Sequence, residues 1–231
     1  MTRFVTRGQL AEADHLLREC QEAFDIAGDI TALGMVYGAR TNLEVNRGHY
    51  RDAADLQRTA LRLTYTRLDP RNISVSHYNL ATYLSCIRAD PGEQRAHRLA
   101  AALLDHLAGD THSLNITLRA LARELRSDAD RPGAPVPPTT VPDVIRLVDA
   151  GEGVHFGQLV AALCLDPGTA NHALAKLLAT AATLPDDRID RVLAEWDPLI
   201  TAIATAAANG HTPPSSSASS TSSAPAPTGP R

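Results

Sequence analysis

The stretch RGHYRDAADLQRTALRL, residues 47–63, decides how this chain folds. It places a glycine at Gly48, an aromatic residue two places later at Tyr50, and alanines seven residues apart at Ala53 and Ala60. Residues seven apart lie on one face of an α-helix. Alanines on that face, where leucines would hold a neighbour away, predict that another helix packs closely against it.

The overall composition is that of a soluble, mildly acidic protein. Of its 231 residues 44% are apolar, and a formal net charge of -4 gives no general attraction to nucleic acid or to an anionic membrane. No apolar run approaches the roughly 18 to 20 residues that span a bilayer, and the start of the chain lacks the apolar segment of a signal peptide. Three widely separated cysteines, Cys20, Cys86 and Cys164, predict buried thiols in a reducing compartment. We therefore expect a cytoplasmic protein without a membrane partner.

The apolar residues recur with a helical period along almost the whole chain. No run shows the alternation, or the content of valine, isoleucine and threonine, that is typical of a strand. Helix-breaking residues divide the first part of the chain into antiparallel hairpins, and they fall at Gly28, Gly48, Pro70, Pro91 and Gly109. The sequence therefore predicts an all-α fold.

The helical hairpins repeat along the sequence. RGQLAEADHLL at residues 7–17 aligns with RGHYRDAADLQ at residues 47–57, at an offset of 40 residues. A looser third copy begins with HYNLATYL at residues 77–84 and continues, after a longer turn, with a small residue at Ala96. A fixed period of this size is typical of helical repeat proteins.

These segments resemble tetratricopeptide repeats (TPRs), whose unit is a helical hairpin with a small residue in its first helix and a glycine at the turn. The first-helix motif is matched by Asn79-Leu80-Ala81-x-x-Leu84, and the second-helix motif by Gly48-x-Tyr50-x-x-Ala53 with Ala60-Leu61. The resemblance covers residues 4 to about 108, with residues 111–128 as the closing helix of this α-solenoid. The period exceeds the usual value of about 34 residues. It resembles that of the longer variant attached to bacterial signalling ATPases and found in kinesin light chains. An alanine-rich bundle would show the alanine spacing by chance, but not together with the glycine, the aromatic residue and the offset.

The resemblance implies a non-enzymatic scaffold that binds a protein or peptide partner in a groove lined by the first helices. Projecting the groove positions of the family onto this sequence gives six candidate residues: Tyr37, Thr41, Glu44, Tyr78, Thr82 and Ser85. Their polar and aromatic side chains suit an extended or helical peptide. For the two tyrosines, packing within the hairpin is an equal alternative. The lysines of TPRs that bind chaperone tails are missing, which argues against that ligand.

Prolines and serines mark the organisation of the chain. Residues 1–129 form the TPR-like repeats, and residues 130–141 form a proline-rich linker that cannot continue a helix. Residues 142–209 predict a small helical domain, separate from the repeats, with four short helices. The serine, proline and alanine tail at residues 210–231 has nothing to bury, and we expect it to be disordered.

The segment FGQLVAALCLDPGTANHALAKLL, residues 156–178, has the pattern of a helix-turn-helix that reads DNA. A transcriptional regulator is therefore the alternative function. Its weakness is charge, because residues 141–209 carry four basic side chains against nine acidic ones, a net charge of -5. Binding to DNA phosphates needs several lysines or arginines on one face. The second helix offers only Asn171, His172 and Lys176, so we favour the scaffold over a nucleic-acid partner.

We predict no catalytic residue, no metal site and no cofactor. The sequence lacks a Gly-x-x-x-x-Gly-Lys phosphate loop, a His-Glu-x-x-His zinc motif and a Gly-x-Ser-x-Gly nucleophile turn. His77 and Cys86 lie on opposite faces of a helix, which favours a surface histidine and a core cysteine over a catalytic pair. The alternating charges between residues 51 and 62, which include Arg58 and Arg62, predict a solvated helix face.

The first repeat begins at its turn, Gly8, so the helix that would precede the turn is missing from the sequence. Leu10, Ala13, Leu17 and Phe24 therefore lack part of their cover within the chain. We expect either that the chain is the carboxy-terminal part of a longer signalling or regulatory protein, or that self-association through the first helix covers this face.

Overall fold

The structure, a computed structural model, describes residues 7–129, 138–164 and 166–185. These residues form nine helices and no strand, which confirms the predicted all-α class. The helices are α1 (Arg7–Ala27), α2 (Ile30–Arg47), α3 (Tyr50–Tyr65), α4 (Pro70–Cys86), α5 (Pro91–Leu107), α6 (Thr111–Ala129), α7 (Val141–Glu152), α8 (Phe156–Leu163) and α9 (Pro167–Thr183). None of these helices is long and apolar enough to cross a membrane. The helix predicted after residue 185 and the predicted tail at residues 210–231 lie outside the described residues, as does most of the predicted linker.

The helices begin and end at the residues that the sequence marks as breaks. Asp29, Asp69 and Asp90 each accept a hydrogen bond from a backbone N–H in the first turn of α2, α4 and α5, at 2.9 to 3.1 Å. Prolines at the starts of α4 and α5 have no N–H that would need a partner. Gly48, which ends α2, has a φ of 79°, a left-handed conformation that glycine adopts without strain.

The first six helices pack consecutively, and the pairs α2–α3 and α4–α5 form the most extensive hairpins. On α3, Ala53 is fully buried and Ala60 is 4% exposed, as close packing of helices requires. Leu61 is also fully buried, and Tyr50 is half-buried. The alanine spacing therefore marks a packing face, as the sequence predicts.

Helix α5 lies at the centre of the packing. Every residue from Arg95 to Asp105 is buried, so this part of the helix has no solvated face. Helices α4 and α6 cover α5 within the stack, and α7, α8 and α9 cover it from the later part of the chain. A helix covered on all sides belongs to a core.

The described part of the 142–209 segment shares its core with the helical stack. Helix α7 packs against α5, and α9 packs against α5 and α6. One cluster of buried apolar side chains extends from Ala53 on α3 to Ala181 on α9, and the described residues up to Leu184 form one compact unit. The expected separation from the repeats therefore does not apply to the described part of this segment, because α5 and α6 have apolar surface that α7–α9 cover. The limits predicted for the segment, residues 142 and 209, stay a prediction.

Replacing Ala53 with leucine should lower the free energy of unfolding by about 1 to 3 kcal/mol, because a fully buried alanine leaves no space for the added carbons. Urea denaturation followed by far-ultraviolet circular dichroism measures this change. Arg51→Ala is the matched control on the same helix, since its side chain is exposed, and it should stay within about 0.5 kcal/mol of the wild type. Equal stability of the two variants would show that α3 is not closely packed at residue 53.

Candidate functional site

The three predicted groove residues on α2 are held by contacts within the chain. The Tyr37 hydroxyl accepts a hydrogen bond from Gln21 of α1 at 3.2 Å. Thr41 is buried and donates to the backbone carbonyl of Tyr37 at 2.9 Å. Glu44 is paired with Arg47 at 2.5 Å. Thr41 therefore does not face a surface, whereas Tyr37 and Glu44 are half-buried and partly accessible.

The three predicted groove residues on α4 lie on one face of that helix, but they differ in their contacts and exposure. The Tyr78 ring lies 4.5 Å from the Arg98 guanidinium carbon, which is a cation–π distance. The Thr82 hydroxyl accepts hydrogen bonds from the same guanidinium at 3.3 and 3.4 Å. Arg98 is buried and binds Glu124 of α6 at 2.9 Å. Tyr78 and Thr82 thus help to hold the α4–α5 hairpin to α6, while Ser85 is exposed.

Three of the exposed apolar residues of the stack form a row that the sequence did not predict. Met35 is 67% exposed, Val75 49% and Ile116 43%, on α2, α4 and α6 respectively. Each lies five residues after the first residue of its helix. We call these three residues the apolar ladder.

Two adjoining grooves connect the residues of the apolar ladder. A groove of about 360 Å³ between α2, α3 and α4 contains both Met35 and Val75. A smaller one of about 120 Å³, at α4 and α6, contains Val75, Tyr78 and Ile116. Val75 therefore lies on both grooves, and the three apolar side chains line one continuous surface.

The larger groove is lined by both apolar and polar residues. Gly34 and Gly38 contribute no side chain, and Leu63 lies next to Gly34. The polar lining includes Thr31, Arg67, Asp69, Asn72 and Asn79. Protein interfaces usually combine apolar and polar contacts in this way.

The period of about 40 residues is the sequence signal that could have revealed the ladder. Met35 and Val75 are 40 residues apart, and Val75 and Ile116 are 41 apart. Those offsets place a large apolar residue at the same position of three alternate helices. The projected groove positions started later on each helix, at Tyr37 and Tyr78, and so passed over the ladder.

A buried chain of polar side chains crosses the interior from α3 to α7. The Tyr65 hydroxyl lies 2.7 Å from His77 Nε2, and His77 Nδ1 lies 2.8 Å from His97 Nδ1. His97 Nε2 lies 3.6 Å from Glu152 Oε1. One neutral arrangement satisfies each contact: Tyr65 donates to His77, His77 donates to His97, and the remaining N–H of His97 points at the Glu152 carboxylate. We call these four residues the buried relay.

Two arginines of α3 also contact Glu152, which is only 1% exposed and whose Oε2 has no hydrogen-bond partner among the described residues. Arg58 Nε donates to Glu152 Oε1 at 3.1 Å, and the same guanidinium donates to Glu93 at 2.6 Å. Arg62 donates to the backbone carbonyl of Glu152 at 2.8 Å. The prediction of a solvated face is therefore wrong for Arg58, which is half-buried because Glu152, 94 residues later in the chain, lies against it. Arg62 stays exposed, as predicted, although it binds the Glu152 carbonyl.

Carboxylate and imidazole atoms of Glu93, His97 and Glu152 are close enough together to hold a metal ion, since all lie within 4.8 Å of one another. The Arg58 guanidinium, however, already bridges the two carboxylates. A divalent cation would have to displace it and would meet the charge of Arg62, 3.7 Å from Glu152 Oε2. We therefore infer that Arg58 and Arg62 supply the positive charge that balances the carboxylates of Glu93 and Glu152.

Burial fixes the protonation states of the relay. Burial, with the neighbouring His97, holds the pKa of His77 well below its usual range, and burial raises the pKa of Tyr65. Burial opposes the ionisation of Glu152, but the hydrogen bond from His97, with the hydrogen bond and charge of Arg58, outweighs it and lowers the pKa of this carboxyl. His77 is therefore neutral and Glu152 ionised at neutral pH. Because His77, His97 and Glu152 are at most 1% exposed, a substrate has no access to them.

The expected positions of the histidine and cysteine side chains are corrected by the structure. His77 is completely buried, whereas Cys86 is exposed. Cys20 is also exposed, and Cys164 alone among the three cysteines is buried. Helical spacing correctly put His77 and Cys86 on opposite faces, but the partners of His77 come from α3, α5 and α8 and are invisible to local spacing.

The fold should lose stability as the pH falls below about 6.5, because unfolded His77 binds a proton that the buried ring rejects. The pKa of His77 is lower in the folded protein than in the unfolded chain. The folded state therefore keeps its full stability above pH 6.5 and loses part of it on acidification. Lowering the pH from 7.5 to 5.5 should reduce the free energy of unfolding by about 1.4 kcal/mol through His77 alone. The lowered pKa of Glu152 affects the stability of the fold only at lower pH, below about 4.5.

Urea denaturation of wild type, His77→Gln and His172→Gln at the two pH values measures this effect. His77→Gln should be less stable at pH 7.5 but should lose the pH-dependent part, whereas His172→Gln, an exposed control on α9, should keep it. An unchanged pH dependence in His77→Gln would show that His77 is not its source.

Comparison of the chain with known protein families, with curated proteins and with solved structures finds no match. The apolar ladder, the buried relay and the grooves of the described residues are thus the observations on which a function can be argued.

Proposed function

We propose that this protein is a non-enzymatic scaffold that binds a protein or peptide partner along the apolar ladder. The observation that carries the proposal is the row of Met35, Val75 and Ile116, three large apolar side chains exposed at one position of alternate helices. Contiguous exposed apolar surface marks interaction sites in folded proteins. The TPR resemblance supports the same conclusion, because stacked hairpins present equivalent positions side by side to an elongated ligand.

The partner that fits this surface is a segment with spaced apolar side chains. Met35 is flexible and adapts to apolar groups of different shape. Asn72 and Asn79 lie seven residues apart on α4 in the lining of the larger groove, where their amides can bond the backbone of a bound segment. Tyr78 adjoins the ladder in the smaller groove and is the predicted groove residue that we retain for this role.

A transcriptional regulator stays the alternative, and two observations weigh against it. Asn171, one of the three side chains offered to DNA by the sequence, accepts a hydrogen bond from the backbone N–H of Val141 at 3.1 Å and so holds the start of α7. Within residues 141–164 and 166–185 the basic side chains are Arg146 and Lys176, too few for a phosphate-binding face. For an enzyme, the buried relay supplies acid–base groups without access for a substrate.

We also propose a reducing compartment, the cytoplasm, as the location. Cys20 and Cys86 are exposed free thiols, which an oxidising compartment would not preserve.

The ladder should account for partner binding. Peptides selected from a displayed library against the full chain should bind the wild type, and binding should weaken at least about tenfold in the triple variant Met35→Ser, Val75→Ser, Ile116→Ser, since each truncation removes apolar contact area. Fluorescence anisotropy with the labelled peptides measures the dissociation constants. The matched control is Leu163→Ser, an exposed apolar residue on α8 away from the ladder. Peptides that bind the triple variant and the wild type equally would refute the proposed site.

Self-association through α1 is a second proposal about partners. None of the side chains described on α1 is buried, and Leu16 and Ile26 are 53% and 88% exposed. Leu10, Leu17 and Phe24 are only half-buried beside α2. An apolar helix face with this little cover favours association with another copy.

Analytical ultracentrifugation over a concentration series should show a dimer or larger species, and Leu16→Asp should shift it toward monomer because a charge at the interface is costly. Leu163→Asp, at an exposed position outside α1, is the control. A wild type that stays monomeric at every concentration would contradict the proposal.

A further inference from the structure

A cleft of about 670 Å³ lies where the end of α4, the start of α5 and the later half of α6 meet. Its polar lining includes Ser85, Arg88, Gln94, Arg95, Arg123 and Ser127. Among the described residues, the apolar lining consists of Ala89 and Pro91, and no aromatic side chain contributes. The cleft is separate from the apolar ladder and shares no residue with either of its grooves.

The cleft is positively charged although the whole chain carries a net charge of -4. Three arginines face one acidic residue, Glu124, which gives the lining a net charge of +2. Glu124 is already satisfied, because it accepts hydrogen bonds from Arg95 at 3.2 Å and from Arg98 at 2.9 Å. The acidic group is thereby neutralised, and the remaining positive charge lies on the exposed arginines.

Arg88 and Arg123 hold that remaining charge. Both side chains are exposed, and neither makes a hydrogen bond or an ion pair within the part of the chain that the structure describes. Most arginines of the stack are paired with carboxylates or carbonyls, as Arg58, Arg95 and Arg98 are. Two unpaired guanidiniums at one cleft are therefore an available binding group for an anion.

The backbone at Arg88 adds a second observation. Arg88 lies in the turn after α4 and has a φ of 53°, in the left-handed region that favours glycine. Such a conformation costs a residue with a side chain about 1 kcal/mol or more and is found at functional sites more often than elsewhere. Leu68, after α3, has a similar φ of 49°, so at Arg88 the unpaired guanidinium together with the backbone, and not the backbone alone, points to a ligand.

We propose that this cleft binds a phosphoryl dianion, carried by a phosphorylated protein side chain or present as free phosphate. The net charge of +2 matches a phosphate monoester, whereas a single carboxylate would leave one positive charge uncompensated. Guanidiniums, two serine hydroxyls and the Gln94 amide supply donors for its three terminal oxygens. A nucleotide fits less well, because its base would find no aromatic side chain to stack on among the described residues of the lining.

Isothermal titration calorimetry with the full chain at low salt tests the proposal. The probes are inorganic phosphate, a glycine-flanked pentapeptide with a central phosphoserine, and the same peptide without the phosphate. We expect saturable binding of both phosphorylated probes and none of the unphosphorylated peptide. Arg88→Ala and Arg123→Ala should each weaken binding about tenfold, since each removes charge-assisted hydrogen bonds. Arg51→Ala, an exposed arginine on α3 outside the cleft, should bind like the wild type.

The comparison of probes identifies the source of the phosphoryl group. Binding of the phosphopeptide at least tenfold tighter than phosphate assigns the site to a modified protein, and equal binding assigns it to the free ion; either result supports the cleft. Because both arginines are exposed and unpaired, their alanine variants should unfold at the wild-type urea midpoint, which confirms that a loss of binding is not a loss of fold. The proposal is overturned if phosphate does not bind, or if Arg88→Ala and Arg123→Ala bind it as tightly as Arg51→Ala does.

Discussion

The carboxylate of Glu152 is the constraint on which the arrangement of the described helices depends. A negative charge that is 1% exposed is tolerated only where opposite charges and hydrogen bonds surround it. Here they come from Arg58 and Arg62 on α3 and from His97 on α5. The contacts of Glu152 Oε1 and of its carbonyl therefore fix the end of α7, and that position sets where α8 and α9 follow.

The position of α7–α9 divides the stack into two sides with different uses. Arg58 and Arg62 of α3 and His97 of α5 point toward α7, where they contact Glu152. The exposed apolar residues of the ladder belong to the alternate helices α2, α4 and α6. Because α5 is buried on all sides, the exposed apolar surface proposed for a partner lies on α2, α4 and α6. For the proposed scaffold, the buried relay would contribute to stability and not to recognition, because its His77, His97 and Glu152 are at most 1% exposed.

Local patterns predicted most of the fold because they act over a few residues. The aspartates and prolines at Asp69-Pro70 and Asp90-Pro91, the left-handed Gly48, and the alanines at 53 and 60 each specify a helix end or a close contact by themselves. The predictions that failed concern residues whose partners lie far away in the sequence. Arg58 has the spacing of a solvated residue until Glu152, 94 residues later, lies against it. Likewise, His77 is a plausible surface residue until Tyr65, His97 and Phe156 surround it. The projected groove positions depended on helix register, and on α2 the buried Thr41 shows how a shift of a few residues along a helix moves a side chain from surface to interior.

Helical repeat proteins usually gain stability from nearest neighbours, so that whole hairpins can be added or removed with a nearly additive effect. The position of Glu152 departs from that rule, since one residue of α7 bonds both α3 and α5, which are not consecutive in the stack. Such a contact closes a loop in the network of interactions. Helices α3, α5 and α7 should then unfold together. A hairpin inserted between α3 and α5 would move Arg58 and Arg62 away from the Glu152 carboxylate. The spacing between α3 and α5 is therefore set by a residue of α7, which lies outside the hairpins that this spacing separates.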